Sequence, residues 1–229
     1  MDDRTAALLR QAWPRQLVFL VFITALLFAP AGTLDFWQAW LFLAVFVACM
    51  VPLGIYFVRT DPALVERRMR AGPAAEQEPV QKVAIGIVCA ALLAMLIVPG
   101  FDRRWHWSGV PAWLTVIADA TIVASFVIFF YVMKQNSFAA ATVRVEREQT
   151  VVSTGLYGVV RHPMYMGTLP LTTAMPLALG SWWALLPVLA IVPALVWRLV
   201  DEERVLRRDL PGYAAYCARV RYRLVPGIW

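Results

Sequence analysis

The sequence has few of the residues that bind metals or form disulfides. Its 229 residues include two histidines, His106 and His162, and three cysteines without a CxxC pair or an HExxH motif. Zinc sites in proteins need clusters of such residues, so we predict no metal site. Cys49 and Cys89 lie in apolar runs and Cys217 lies in a charged segment, so we interpret all three as reduced and structural.

Common nucleotide-binding motifs are absent as well. The chain contains no GxGxxG and no GxxxxGK followed by Ser or Thr. The sequence therefore indicates neither a Rossmann dinucleotide site nor a P-loop. No arrangement of Ser, His and an acidic residue that would form a nucleophilic triad is evident either.

Charged residues are scarce, at 16% of the chain, whereas 61% of the residues are hydrophobic. This composition is too apolar for one soluble domain of this length and predicts an integral membrane protein. Ten tryptophans, most of them near the ends of hydrophobic runs, are typical of an interfacial aromatic belt. The net charge of +6 therefore indicates no nucleic-acid partner.

The hydrophobic runs predict an all-α, polytopic membrane protein with about six transmembrane helices in one domain, 1–229. A bilayer-spanning helix needs about 20 residues, so the 37-residue run at 164–200 suits two helices joined at Gly180. The first of these two is short, roughly 22 Å, and Pro170 and Pro176 should interrupt it, which is typical of helices that border a cavity. The six predicted segments are 16–31, 36–57, 83–101, 112–133, 165–179 and 182–210.

Two features of the first half remain open to more than one interpretation. Ala29, Pro30 and Ala31 resemble a signal-peptidase site, so removal of the first segment is an alternative to its retention. Asp119 lies within the fourth segment, and we interpret it as facing a neighbouring helix rather than as a catalyst. Between the segments, residues 59–82 form a polar loop with a short surface helix at 62–69, and residues 144–148 are predicted to be extended.

The distribution of basic residues predicts the orientation. With a cytoplasmic amino terminus, the outer loops contain only Arg103 and Arg104 of the 21 Lys and Arg residues. The positive-inside rule therefore places both termini and the polar regions around Arg161 and Glu202 on the cytoplasmic side.

The most unusual stretch of the chain runs from Ser153 to Gly167. Pro163 favours a helix start, so Arg161 and His162 precede a helix amino terminus, which can hold an anionic group. An ordinary positively charged flank is the alternative interpretation. Arg198 and Glu202 share one face of the last membrane segment and could likewise be a simple anchoring ion pair, and Tyr213 and Tyr216 could be interfacial anchors.

Taken together, these motifs in 136–226 resemble the isoprenylcysteine carboxyl methyltransferase family and its phospholipid methyltransferase relatives, including bacterial membrane homologues. The resemblance implies a scaffold at 1–133 and a catalytic region at 134–229 that ends in a cytoplasmic segment and binds S-adenosylmethionine. The motifs that carry it are Gly155-Leu-Tyr157, Arg161-His-Pro-Met-Tyr165-Met-Gly167, Asp201-Glu-Glu203, Tyr213, Tyr216 and Val220.

The resemblance also implies roles for individual residues. Arg198 and Glu202 are the predicted catalytic residues, and Arg198 is expected to contact the methyl acceptor. The predicted cofactor-binding residues are Tyr157, Arg161, His162, Pro163, Tyr165, Gly167, Glu202, Glu203, Tyr213 and Tyr216.

The expected acceptor is a lipophilic small molecule or a membrane lipid, and the expected location is the inner membrane of a bacterium. A carboxylate acceptor is favoured because it is already nucleophilic at neutral pH, whereas an ammonium group must first lose a proton. N-methylation of an amine lipid remains an alternative. A reductase that uses NADPH is an alternative of another class, because some membrane sterol reductases carry a similar RHPxYxG segment. A membrane scaffold or binding protein with a relic pocket is a fourth alternative.

Overall fold

The computed structural model describes residues 3–69, 78–139, 145 and 149–229. Within this part of the chain the regular structure is entirely helical, so the all-α prediction is confirmed. The predicted extended stretch at 144–148 lies outside the described residues, apart from Val145. The helices are α1 (Asp3–Ala31), α2 (Trp37–Thr60), α3 (Pro62–Met69), α4 (Pro79–Trp105), α5 (Ala112–Gln135), α6 (Pro163–Ala178), α7 (Val188–Asp209) and α8 (Tyr213–Arg219).

Five of these segments are long and apolar enough to cross a membrane: Leu8–Ala31, Trp37–Thr60, Pro79–Trp105, Ala112–Gln135 and Trp183–Asp209. The remaining predicted segment, 165–179, corresponds to α6, whose 16 residues extend roughly 24 Å. A hydrocarbon core of about 30 Å exceeds that length, so a sixth full crossing remains a prediction.

One apolar core holds the long helices together. Leu27 of α1, Met95 of α4, Ile122 of α5 and Ile191 of α7 are fully buried in it. Large apolar side chains such as Leu189 point outward and remain exposed, as expected for a surface that contacts lipid. The tryptophans predicted at the span ends are also exposed, among them Trp37, Trp40, Trp105, Trp107, Trp113, Trp182 and Trp183.

The prediction that prolines interrupt α6 is wrong. Pro170 and Pro176 lie inside a continuous helix, in which the hydroxyls of Thr172 and Thr173 donate additional hydrogen bonds to the carbonyl of Leu169. Prolines are tolerated in membrane helices where neighbouring groups satisfy the freed backbone. The related prediction, that α6 borders a cavity, is confirmed.

Helices α4 and α7 are antiparallel, and their polar contacts define the two ends of the molecule. At one end Gln81 of α4 donates to Asp201 of α7 over 2.6 Å. At the other end Asp102 of α4 accepts a hydrogen bond from Ser181, which lies in the turn between α6 and α7. We call the first the cavity end and the second the distal end. The 21 helical positions from Gln81 to Asp102 separate them by roughly 30 Å.

Candidate functional site

A cavity of about 700 Å³ opens at the cavity end and extends between the membrane helices. Its volume lies within the usual range for small-molecule sites. Apolar side chains from α2, α5 and α6 line one part of it, including Phe46, Met50, Leu53, Phe126, Phe129 and Leu171. The other part is polar and is lined by Arg68, Asn136, Tyr157, Arg161, His162, Tyr165, Arg198, Glu202, Tyr213 and Tyr216.

The start of α6 forms one wall of the polar part. His162 is the residue before the helix and Pro163 is its first residue, as predicted, and no side chain caps this end. The backbone N-H groups of Arg161 and His162 donate to the carbonyls of Tyr222 and Arg223 over 2.9 and 3.0 Å. The carboxy-terminal segment is therefore attached directly to the residues that precede α6.

Glu203 lies behind this wall and binds two arginines and a histidine. Its Oε1 is 3.2 Å from Arg161 Nη1 and 3.3 Å from His162 Nε2, and its Oε2 accepts from Arg223 Nε over 3.1 Å. The Glu203 side chain is only 5% exposed and does not line the cavity. A buried carboxylate with several charge-assisted hydrogen bonds positions its partners firmly, so Glu203 orients Arg161 and His162 toward the cavity.

Glu202, the preceding residue, faces the cavity instead. Its Oε2 accepts a hydrogen bond from the Tyr165 hydroxyl over 2.7 Å. Arg198 lies one helical turn earlier on the same face and also interacts with the Tyr165 hydroxyl. The predicted pair on α7 and the predicted tyrosine on α6 therefore meet in a single cluster at the cavity.

Three tyrosines close the cavity on the side of α8. The Tyr216 hydroxyl donates to the Tyr157 carbonyl over 2.8 Å, and Asn136 donates to the Tyr157 hydroxyl over 3.1 Å. Burial raises the pKa of Tyr157 to about 12, and burial also raises the pKa values of Tyr213 and Tyr216. All three phenols are therefore neutral at physiological pH and present aromatic faces and hydroxyls rather than charge.

Gly167 has a packing role in this structure. A Cβ atom there would lie 2.8 Å from Phe129 Cε1 of α5, so the absence of a side chain permits the close approach of α5 and α6. Gly167 and Glu203 are the two predicted site residues that do not line the cavity. Those that do are Tyr157, Arg161, His162, Pro163, Tyr165, Arg198, Glu202, Tyr213 and Tyr216.

Sequence reasoning missed several residues of this region. Gln81 is fully buried, and its Nε2 donates to Asp201 and to the Arg198 carbonyl, so it fixes the part of α7 that carries the site. Arg68 of α3 lines the cavity, and Arg223 binds Glu203. A polar residue next to an apolar run, as at Gln81, is the signal that could have identified it.

Asp119 remains without an assigned role. It is buried in α5, as expected for a carboxylate that faces a neighbouring helix, and it does not line the cavity. Neither of its carboxylate oxygens has a hydrogen-bond partner among the described residues.

Comparison with known proteins supports the family resemblance. Residues 113–210 match the model of the phospholipid methyltransferase family. This stretch is slightly less than half of the chain and includes α5, α6 and α7, so it covers Tyr157 to His162, Tyr165, Arg198 and Glu202. The resemblance that the motifs indicated is thereby confirmed for a membrane methyltransferase family.

A curated protein of another class is similar over a shorter length. The Delta(14)-sterol reductase of Mus musculus is 36% identical over 84 residues, which are 35% of this chain and 20% of the reductase. The matched part thus spans about a fifth of the length of this curated relative.

Proposed function

We propose that this protein is an S-adenosylmethionine-dependent membrane methyltransferase that acts on a lipophilic acceptor. The proposal is based mainly on one observation: a single cavity extends from a polar, charged part to an apolar part between membrane helices. Such a cavity suits two ligands of opposite polarity that must meet. The family match over residues 113–210 supports the same reaction class.

The side chains of the polar part fit the cofactor. S-adenosylmethionine carries a carboxylate, an ammonium group, ribose hydroxyls and an aromatic base. Arg161 and the uncapped start of α6 offer positive charge for the carboxylate, and His162 lines the cavity beside them. Glu202 offers a carboxylate to the ammonium group or the hydroxyls, and Tyr213 and Tyr216 offer aromatic faces.

Glu203 and Gly167 support this pocket from outside. Glu203 holds Arg161 and His162 in place, and Gly167 allows α6 to approach α5. Both residues resemble cofactor-binding positions of the family, and their contribution in this chain is to position the residues that line the cavity.

The acceptor we favour is a carboxylate on an isoprenylcysteine-like or other lipophilic acid. When bound, the cofactor supplies a methyl group on a cationic sulfur, whose S–C bond breaks as the O–C bond to the acceptor forms. Because a carboxylate acceptor is already ionised at physiological pH, no residue of this chain would have to remove a proton from it. Arg198 can orient the carboxylate, and the apolar walls exclude water. An amine acceptor would need a base, for which Glu202 is the candidate.

The proposed orientation places the cavity end on the cytoplasmic side, where the cofactor is available. Its support is the charge distribution, with Arg103 and Arg104 near the distal end and most other basic residues toward the cavity end. The proposed location is the inner membrane of a bacterium.

Labelling of single cysteines tests this orientation. In a background that lacks the native cysteines, Arg103→Cys provides a thiol at the distal end and Arg221→Cys provides one near the cavity end. An impermeant thiol reagent applied outside intact cells should label the first variant and not the second. The opposite pattern would place the cavity end on the wrong side for a cytoplasmic cofactor.

A second candidate function is reduction of a lipid by NADPH. The similarity to the Delta(14)-sterol reductase over 84 residues favours it. The same polar part of the cavity would then bind the cofactor phosphates through its arginines.

Equilibrium binding to the purified protein in a neutral detergent distinguishes the two candidates. We expect binding of S-adenosylmethionine and of its demethylated product, and weak or no binding of NADPH. His162→Ala and Glu202→Gln should each weaken S-adenosylmethionine binding about ten-fold or more, as for the loss of a charged hydrogen bond. Arg103→Ala, at the distal end, is the matched control and should bind normally. Binding of NADPH alone would contradict the methyltransferase proposal.

The product identifies the acceptor class. With labelled S-adenosylmethionine, a farnesylated thioacid should give a base-labile methyl ester, whereas methylated phosphatidylethanolamine would be base-stable. Arg198→Lys keeps the charge but loses the planar pair of donors, so it should reduce turnover of the acid while cofactor affinity changes little. Methyl transfer to the amine alone would contradict the carboxylate assignment.

A further inference from the structure

Arg68 is a cavity residue contributed by the amino-terminal half of the chain. It lies near the end of α3, and the cavity wall around it is formed by Leu64, Val65 and Met69 of the same helix. The residues that resemble the methyltransferase family all come from 136–226, so Arg68 lies outside that resemblance. The Arg68 guanidinium belongs to the polar part of the cavity and has apolar side chains of α3 beside it.

The charge of Arg68 is poorly compensated. Its Nη1 donates to the backbone carbonyl of Ala139 over 3.0 Å. Among the described side chains of residues 8–69, 78–139 and 149–229, no carboxylate lies within ion-pairing distance of it. Burial lowers the pKa of its guanidinium. A partly buried cation with one neutral acceptor is costly for the protein, and an anionic ligand would offset that cost.

The other two arginines that line the cavity have side-chain partners. Arg161 pairs with Glu203, and Arg198 interacts with Tyr165. Among the described lining residues, Glu202 is the one acidic side chain, so the lining has an excess of positive charge. S-adenosylmethionine is itself a net cation, and its binding would increase that excess. An anionic second ligand would offset this positive charge.

We propose that Arg68 binds the anionic head group of the lipophilic acceptor, so that the acceptor is an acidic amphiphile whose apolar chain lies between α2 and α5. This inference rests on the proposed function and adds a specificity-determining residue to it. The planar guanidinium suits two-pronged binding of a carboxylate or a phosphate, and the neighbouring side chains suit a hydrocarbon chain. Arg68 and Arg198 then approach the acceptor from two different helices, α3 and α7.

The adjacent residue, Arg67, is a matched control. Its guanidinium donates to Ser137 and lies 4.6 Å from the centre of the Phe138 ring, and it does not line the cavity. Replacing Arg67 removes the same charge from the same helix without changing the cavity wall. A general effect of charge or of helix stability should appear in both variants, whereas a ligand contact should appear only at Arg68.

Direct binding tests the proposal without requiring turnover. We would measure the affinity of S-farnesylthiopropionate and of its neutral methyl ester for the purified wild type, Arg68→Gln, Arg68→Lys and Arg67→Gln proteins in a neutral detergent. Lysophosphatidate serves as a second anion, to distinguish a phosphate from a carboxylate. The wild type should prefer an anion over the neutral ester by about ten-fold or more, the effect of one charged hydrogen bond. Arg68→Gln should lose most of that preference and keep only the part due to Arg198, Arg68→Lys should retain more of it, and Arg67→Gln should retain it within about two-fold.

The outcomes separate this inference from the proposed function. S-adenosylmethionine affinity should be unchanged in Arg68→Gln. A loss of cofactor affinity with an unchanged preference for the anion would overturn the inference, because Arg68 would then bind the cofactor. An equal loss of preference in both glutamine variants would also overturn it. An Arg68-dependent preference in a protein that binds no S-adenosylmethionine would support the inference and contradict the methyltransferase proposal.

The lysine variant keeps the inference testable if Arg68→Gln fails to fold. Lysine retains the positive charge but loses the planar pair of donors. A folded Arg68→Lys protein should therefore bind the anion more weakly than the wild type does, and it should bind the neutral ester as well as the wild type does. An anion preference identical to that of the wild type would overturn the inference.

Discussion

A buried carboxylate lies at each end of the molecule, and the two carboxylates have different kinds of partner. At the distal end, Asp102 accepts hydrogen bonds from the Ser108 backbone and from the hydroxyls of Ser108 and Ser181, all of them neutral donors. At the cavity end, Glu203 binds two arginines and a histidine, and two of its partners, Arg161 and His162, also line an open cavity.

This difference supports a structural role for the distal cluster and the proposed binding role for the cavity end. The distal cluster is closed, since its donors and acceptor satisfy one another and join the turn after α6 to the end of α4. The cluster around Glu203 leaves charged groups directed into a cavity, where a ligand can reach them. A polar cluster alone does not indicate function, whereas a polar cluster that opens onto a cavity between membrane helices is a candidate binding site.

Removal of the Glu203 carboxylate should have the largest effect. Glu203→Gln leaves Arg161, His162 and Arg223 without their shared anion, so we expect a loss of about 3–5 kcal/mol in stability and loss of cofactor binding. Thermal unfolding in detergent, followed with and without S-adenosylmethionine, measures both. Glu202→Gln is the control, because Glu202 has fewer partners and should cost less stability. Equal stability of the two variants would contradict the role assigned to Glu203.

Loss of the carboxylate at the distal end should destabilise the protein less and should leave cofactor binding unchanged. Asp102→Asn replaces a charged acceptor by a neutral one, for an expected loss of about 1–3 kcal/mol. S-adenosylmethionine affinity should remain at the wild-type level. Weakened cofactor binding in this variant, measured under conditions where it is folded, would show that the two ends are not independent.

Alkaline pH should destabilise the folded protein through ionisation of Tyr157. Burial raises the pKa of Tyr157 from its ordinary value of 10.0 to about 12, so the folded protein holds this proton more tightly than the unfolded chain. The contribution of Tyr157 to the free energy of unfolding is therefore fully present below pH 10 and is lost as the pH rises toward 12. The loss amounts to about 1 kcal/mol at about pH 11. Unfolding of the wild type and of Tyr157→Phe over this pH range measures it. The phenylalanine variant should lose less stability, and an identical pH dependence would contradict the assignment.

The smallest effect is expected at the exposed pair of the distal end. Arg103 Nη2 lies 3.0 Å from Asp35 Oδ2, and the Asp35 side chain is 86% exposed. Arg103→Ala should change stability by less than about 1 kcal/mol and leave cofactor binding unchanged. A larger loss, seen in the same unfolding assay, would mean that surface charge at this end contributes more than the comparison implies.

Local sequence patterns predicted much of the fold. Hydrophobic runs located the long helices to within a few residues, except for the amino-terminal extension of α1, and the polar loop between α2 and α4 was correctly predicted to contain α3. Pro163 marks the start of α6 because its restricted backbone angle suits the first position of a helix. The prediction that prolines interrupt α6 was wrong because neighbouring groups in a membrane protein can satisfy the backbone groups that a proline frees.

The site was only partly predictable, for a physical reason. Arg161, His162, Glu202 and Tyr165 were found because they form short motifs. Gln81 and Arg68 were not, because their contacts join residues about 120 and 71 positions apart and depend on how the helices pack. The different positions of Glu202, which lines the cavity, and Glu203, which lies behind it, could not be predicted from the sequence either. Adjacent residues on a helix point in different directions, and only the packing decides which one faces the cavity.

The most direct test of a cofactor site at the cavity end is backbone hydrogen exchange with and without saturating S-adenosylmethionine. We predict slower exchange at 157–166 and 213–220, which form the cavity end, and no change at 102–108 and 181–185, which form the distal end. The apolar helix centres exchange slowly in both states and serve as the internal reference. Protection of the distal segments, or no protection by S-adenosylmethionine together with protection of 157–166 by NADPH, would contradict the assignment of a methyltransferase site.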